Sequence, residues 1–139
     1  MYGAQSMGQA LSRSESREVA FRLIFAAGNG TALDADAWGL ALDAKTAPQQ
    51  EKQYIEQVVN TFQDLRVKID QRISDRLQKW TIDRLRQTDL AVLRLASAEM
   101  LLGNVPVPVI INEAVNLAKK YGDAQSGSFV NGMLAKLAE

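Results

Sequence analysis

The sequence predicts an all-α fold. Apolar residues recur at spacings of three and four along most of the 139 residues, and no long segment alternates as a strand does. Capping signals, glycines and prolines separate these periodic segments. With 47% hydrophobic residues, a chain of this length can bury one core without covalent staples. We expect about seven helices in a single compact domain.

The first helix is expected to begin after Ser12, because Glu15 three residues later completes a capping box. The run Gly28-Asn29-Gly30 ends it. A short helix is predicted over Leu33–Ala44, and Pro48 suits the first turn of the next helix.

From Gln49 to Trp80 the apolar positions form one continuous stripe, which predicts a long helical segment with a kink or break near Asp70–Ser74. The stripe consists of Val58, Phe62, Leu65, Ile69, Ile73, Leu77 and Trp80. Residues 81–88 are expected to form a connection or a short helical turn.

Three further helices are predicted: Leu90–Leu102, Val109–Tyr121 and Ser126–Leu137. The first is strongly apolar and therefore central, and the prolines of residues 103–108 separate it from the second. Arg94 and Glu99 lie inside this apolar helix, where buried charges need partners, so we expect an ion pair or a polar interface there.

Composition narrows the function. The chain has no cysteine and no histidine, which removes disulfides, thiolate chemistry and the usual base near neutral pH. Asp83, Asp89 and Glu99 show no pattern of an acid/base pair, so we expect no catalytic residue, no cofactor and no metal site.

The N-terminus lacks the features of a secretory signal, and no apolar run approaches the ~20 residues that span a bilayer. We expect a flexible leader over residues 1–11, a helical domain over residues 12–139, no membrane association and a cytoplasmic location.

The charges balance to zero overall, which argues against a dedicated nucleic-acid binder. Their distribution is uneven: residues 28–60 hold two basic and five acidic side chains, a net charge of −3, whereas residues 61–94 hold eight and five, a net charge of +3. A neutral protein can therefore still present a basic face.

Basic side chains occur in three places, each with two interpretations. Arg13 and Arg17 border the apolar side of the first helix beside Phe21 and Phe25, which suits single-stranded RNA or ordinary packing. A ridge of cations on the long segment can bind phosphate or form a solvated surface; it consists of Lys68, Arg72, Arg76 and Lys79. Lys119 and Lys120 suit the negative end of a helix dipole, which leaves any RNA role secondary.

Five sequence blocks resemble the NusB family of bacterial transcription antitermination factors. They are residues 16–25 (SREVAFRLIF), 80–85 (WTIDRL), 89–96 (DLAVLRLA) with Glu99, 109–122 (VIINEAVNLAKKYG) and 126–132 (SGSFVNG). The blocks occur in the family's order and spacing, and the last two are the most specific.

The resemblance implies two packed helical bundles without enzymatic activity. It also implies binding to boxA, a single-stranded RNA element of nascent ribosomal RNA transcripts, together with NusE, a ribosomal protein of the small subunit, in the RNA polymerase antitermination complex. Some relatives self-associate, so a homodimer is an open alternative.

By position, the resemblance assigns RNA binding to Arg13, Arg17, Arg22, Phe25 and Phe129, and partner binding to Asp83, Asp89 and Glu99. Two departures stand out. Ser14 and Glu15 interrupt the family's N-terminal arginine cluster, and Gln125 replaces an acidic residue four positions before Phe129. The first favours weak intrinsic RNA affinity, and the second offsets part of that loss.

Two other functions remain open: a protein-binding helical scaffold with weak or lost RNA binding, and an RNA-recognition module of the kind fused to ribosomal RNA methyltransferases. The second requires the chain to be a fragment, since no methyltransferase domain fits in 139 residues.

Overall fold

The computed structural model describes residues 11–43 and 48–139, with only the backbone along residues 40–43. This part of the chain forms seven α-helices, one short 3-10 helix and no strand. The α-helices are α1 (Arg13–Gly28), α2 (Ala35–Asp43), α3 (Gln49–Asp64), α4 (Arg66–Arg76), α5 (Gln87–Leu102), α6 (Val107–Tyr121) and α7 (Ser126–Leu137), and the 3-10 helix is Ile82–Arg84. The predicted all-α class is confirmed.

Helix α5 is the centre of the fold. It packs against α1 and α3 on one side and against α4, α6 and α7 on the other. Its residues from Asp89 to Glu99 are all buried, which explains why its apolar character runs all round the helix. The helices thus form two packed groups that share α5.

The ends of several helices are as the sequence predicts. At the start of α1, the Ser12 hydroxyl accepts from the Glu15 backbone N–H at 3.0 Å, and the Glu15 carboxylate accepts from the Ser12 N–H at 3.0 Å. Gly103 ends α5 in the left-handed conformation, with φ of 72°, which glycine adopts without a Cβ clash. Helix α7 has the predicted bounds.

Other boundaries differ from the prediction. The long segment breaks at Leu65 and not near Asp70–Ser74, and its helical part ends at Arg76, so that Trp80 is 56% exposed instead of continuing the buried stripe. Helix α6 begins two residues early, because Pro108 lies in its first turn, where no backbone N–H is needed.

The expected leader over residues 1–11 lies almost wholly outside the described residues. Its last residue, Leu11, is described and belongs to the buried core, with 7% of its surface exposed. The packed domain therefore includes at least one residue of the predicted leader. In the described part of the chain, no helix has both the length and the apolar character needed to cross a membrane.

Candidate nucleic-acid interface

Arg17 and Glu99 form a buried pair between α1 and α5. The Arg17 Nε donates to Glu99 Oε1 at 2.9 Å, and its Nη2 donates to Oε2 at 3.1 Å. The Tyr54 hydroxyl from α3 donates to the same carboxylate at 2.9 Å. Arg17 is 4% exposed and Glu99 3%, so these hydrogen bonds are made inside the protein, away from solvent.

This burial argues against two of the sequence-based assignments. Arg17 does not lie on an exposed edge where it can meet a phosphate, and Glu99 does not lie on a surface that can meet a protein partner. The prediction that buried charges in α5 have partners is confirmed for Glu99 and also for Arg94, which donates two hydrogen bonds of 2.9 Å to Asp70 of α4.

The environment of this pair shifts two pKa values upward. Burial, followed by the negative charge of Glu99, raises the pKa of Tyr54, which therefore stays a hydrogen-bond donor. Burial lowers the pKa of Arg17, but the hydrogen bonds and charge of Glu99 outweigh that effect and raise it overall. The arrangement holds α1, α3 and α5 together.

Arg13 and Arg22 lie on the exposed part of α1. Arg13 is held by Glu51 of α3, with Nε to Oε1 at 2.9 Å, and its guanidinium lies 4.3 Å from the centre of the Tyr54 ring. Arg22 donates from Nη2 to the Tyr121 hydroxyl at 3.0 Å and keeps 63% of its side chain exposed. Both cations are available at the surface, although each already has a partner.

The aromatic residues of α1 divide between core and edge. Phe21 is 3% exposed and belongs to the core, as the packing interpretation expects. Phe25 is half-buried and lies 6.3 Å from Phe21, whose other neighbour is Tyr121 of α6 at 4.8 Å. An aromatic row thus runs along α1 onto the end of α6.

Phe129 lies at the start of α7, at the wall of an open cleft of about 440 Å³. The cleft is lined by Trp80, Arg84, Leu85, Arg86, Asp89, Asp123, Gln125, Ser126 and Phe129. Arg86 donates to Asp123 at 2.6 Å, and Asp123 directly follows the end of α6. The Phe129 cleft therefore lies at the same end of α6 as Tyr121.

The two acidic positions assigned to partner binding have different environments. Asp83 is exposed on the 3-10 helix, and hydrogen bonds from the Thr81 side chain and its own backbone lower its pKa. Asp89 is 8% exposed and shares the cleft with Phe129. Burial raises the pKa of Asp89, and the Ser126 hydroxyl offsets only part of that shift. Phe129, which is predicted to bind RNA, and Asp89, which is predicted to bind the protein partner, thus line the same cleft.

Sequence reasoning missed two residues of this cleft. Trp80 is among the most exposed apolar side chains, although its spacing from Leu77 places it on the stripe that was predicted to be buried. The apolar periodicity stops after Trp80, and this was the sequence signal that the buried stripe ends before it. Arg86 is the N-cap residue of α5, but its side chain makes no capping hydrogen bond. It pairs instead across the cleft with Asp123, a contact that no local sequence pattern indicates.

The fold and these residues define a class of protein: a small all-helical domain with surface cations and aromatic rings on α1, at the end of α6 and at the start of α7. The family model described as the NusB family matches residues 14–139. The chain belongs to the NusB family.

Sequence similarity to known relatives extends over nearly the whole chain. The transcription antitermination protein NusB of Oceanobacillus iheyensis is 36% identical over 130 residues, which cover 91% of this chain and 98% of that protein. The NusB of Agathobacter rectalis is 37% identical over 131 residues, or 92% of this chain and 100% of that protein.

Solved structures are similar as well. The T. maritima NusB structure has a TM-score of 0.81 at 32% identity, and the alignment covers 94% of this chain and 92% of that one. A structure of the antitermination factors NusB and NusE in complex with dsRNA has a TM-score of 0.82 at 26% identity, covering 91% and 95%.

Proposed function

We propose that the protein is a transcription antitermination factor that binds boxA-type single-stranded RNA of nascent ribosomal RNA transcripts together with NusE. Membership of the NusB family, over 14–139, carries this proposal. One structurally similar chain is the NusB of a complex of NusB and NusE with dsRNA, which supports NusE and RNA as partners. The complex acts on RNA polymerase in the cytoplasm, where bacterial transcription takes place.

The RNA contacts are proposed for Arg13, Arg22, Phe25 and Phe129. Guanidinium groups meet backbone phosphates, and partly exposed rings stack on unpaired bases. Asp83 and Asp89 remain the proposed contacts to NusE. Since Asp89 and Phe129 line one cleft, the partner and the RNA meet there, which favours cooperative binding of the two.

The proposal assigns no catalytic step to the chain. Among the described residues no group of three or more acidic side chains could hold a metal ion, and Asp83 and Asp89 act through their charge. The competing function, a protein-binding scaffold that has lost RNA binding, is motivated by the neutral net charge and by the carboxylate partner of Arg13.

Binding of a boxA-type RNA, with and without NusE, tests the proposal. We expect the affinity to rise when NusE is present and to fall with salt. Arg22→Ala should weaken RNA binding roughly threefold to tenfold and reduce the salt slope by about 0.7, the value for one phosphate contact on a single strand. Lys136→Ala, which removes a cation from the far end of α7, serves as the matched control.

One result would favour the scaffold instead: the protein binds NusE but binds no RNA, whether or not NusE is present. Equal binding of a scrambled RNA would overturn boxA recognition, and a salt slope that Arg22→Ala leaves unchanged would remove Arg22 from the proposed RNA contacts. A duplex of the same sequence separates single-strand recognition from general attraction to phosphate.

A further inference from the structure

The carboxylate of Glu18 lies under three donors from two helices. Lys120 Nζ of α6 donates to both of its oxygens, at 2.9 Å and 2.6 Å. The Tyr121 hydroxyl donates to the same Oε2, and Arg22 Nη2 lies 3.7 Å from it. Two cations and a hydroxyl therefore converge on one pair of anionic oxygens.

The anion lies inward and the cations lie outward. The Glu18 side chain is 17% exposed, whereas those of Lys120 and Arg22 are 61% and 63% exposed. An incoming anion therefore meets the donors first. Exposed ion pairs contribute little to stability, so a phosphate oxygen can take over these donors without a large cost in protein stability.

The same cluster borders the aromatic row. The Tyr121 ring packs on Phe21, and the Lys120 ammonium lies 5.5 Å from the centre of the Tyr121 ring. Phe25 follows Phe21 by one turn on α1. A phosphate held here would place the attached nucleotide beside a half-buried ring, which is the arrangement that single-stranded RNA needs.

We propose that Arg22, Lys120 and Tyr121 form a binding site for a phosphate of the RNA backbone, in which the Glu18 carboxylate occupies the anion position and limits RNA affinity. The proposal rests on the proposed RNA-binding function and adds Lys120, Tyr121 and Glu18 to it. It also revises the view of Lys120 as a residue that mainly stabilises the dipole of α6.

Replacing Glu18 by glutamine tests this site, because glutamine keeps the shape and an acceptor oxygen but removes the charge. We expect Glu18→Gln to bind boxA-type RNA about threefold to tenfold more tightly, since one negative charge beside the phosphate is lost. The salt slope should steepen by about 0.7. Adding Lys120→Ala to this variant should return both values to those of the wild type or below.

The matched control is Glu56→Gln, which removes the same charge from an exposed position on α3. If the two glutamine variants bind RNA with the same affinity and the same salt slope, the phosphate site is refuted while the RNA-binding function stands.

A titration with inorganic phosphate, followed by NMR of the Lys120 and Tyr121 side chains, separates the site from the function. Saturable shifts in Glu18→Gln that are weaker in the wild type support the site. If they occur while neither protein binds RNA with or without NusE, the site stands and the proposed function fails. Absence of shifts in Glu18→Gln overturns the site.

Discussion

Single residues decide which charges face solvent. Arg13, Arg17 and Arg22 lie on the same helix, yet Arg17 alone is enclosed, because its partner Glu99 comes from the central helix α5. The sequence identifies Glu99 as a buried charge that needs a partner, but not which arginine supplies it. That choice depends on how α1 packs against α5, a contact between residues 82 positions apart.

Removing the charge of Glu99 should be costly. Glu99→Gln removes the main anionic partner of the buried Arg17 guanidinium and leaves it beside Glu113, whose carboxylate lies 3.4 Å from Nη1. Breaking one side of a buried pair costs about 3 kcal/mol of unfolding free energy, which urea denaturation can measure.

An apolar replacement of the whole cluster provides the control. The triple change Arg17→Met, Tyr54→Phe and Glu99→Leu removes the three polar groups of this cluster together, so it should destabilise less than Glu99→Gln alone. If the triple variant is the less stable of the two, the pair contributes net stability and the desolvation argument is wrong. RNA binding should survive in the triple variant if Arg17 makes no phosphate contact.

Helices were predictable from sequence where a local signal marks their ends. The capping box of Ser12 and Glu15, Gly103 after α5 and the bounds of α7 all follow from residue type and spacing. The break at Leu65 has no such signal, since neither glycine nor proline is present. Helices α3 and α4 each bury their own stripe, including Phe62 and Ile69, and only their separate packing requires the turn between them.

Two glycines of the C-terminal region should respond oppositely to alanine. A Cβ on Gly132, in the middle of α7, would meet no atom within 4 Å, so Gly132→Ala should stabilise the protein by about 0.5–1 kcal/mol through helix propensity. A Cβ on Gly122 would lie 2.2 Å from the Ser126 hydroxyl oxygen and 2.7 Å from the Ala118 carbonyl. Gly122→Ala should therefore destabilise by more than about 1 kcal/mol.

Thermal unfolding of both variants checks this pair. An increase in Tm for Gly122→Ala would show that the connection between α6 and α7 can shift to accept a Cβ at this position. A decrease for Gly132→Ala would indicate that α7 is not limited by helix propensity at that position.

At the scale of the whole molecule, balance of charge is the main property. The net charge is zero, and three surface cations have carboxylate partners: Arg13 with Glu51, Lys120 with Glu18, and Arg86 with Asp123. Composition predicts the balance, but only the three-dimensional structure shows which cation pairs with which carboxylate. If such pairs are exchanged for phosphate contacts, as proposed above, we expect the intrinsic RNA affinity to be weak and the dependence on a protein partner to be strong.

The same charge balance predicts how stability depends on pH. The chain has no histidine, so no side chain with an ordinary pKa titrates between about pH 6 and 8. Hydrogen bonds from Arg13 hold the pKa of Glu51 below its usual value. Burial raises the pKa of Glu18, but the hydrogen bonds from Lys120 and Tyr121 outweigh it and lower the pKa overall.

A carboxylate whose pKa is lower in the folded state contributes stability that is present above its unfolded pKa and lost as the pH falls through its folded pKa. Asp89 acts in the opposite direction, because burial raises its pKa and its protonation relieves a cost. Two carboxylates with lowered pKa values, Glu18 and Glu51, thus oppose the single raised pKa of Asp89. The exposed Asp83 and Asp123 contribute little, because their charges are screened by solvent. We therefore expect an unfolding free energy that is flat from about pH 6 to 8 and falls between about pH 5 and 3.

Urea denaturation across this range measures the prediction, and Glu18→Gln tests its cause. The variant lacks one of the two carboxylates that lose stability in acid, so its stability should fall less steeply than that of the wild type below about pH 4.5. Glu56→Gln, at an exposed position on α3, should retain the wild-type profile. If Glu18→Gln and the wild type lose stability in parallel, Glu18 is not tightly paired in solution, and the structural basis for its role as an internal anion is removed with it.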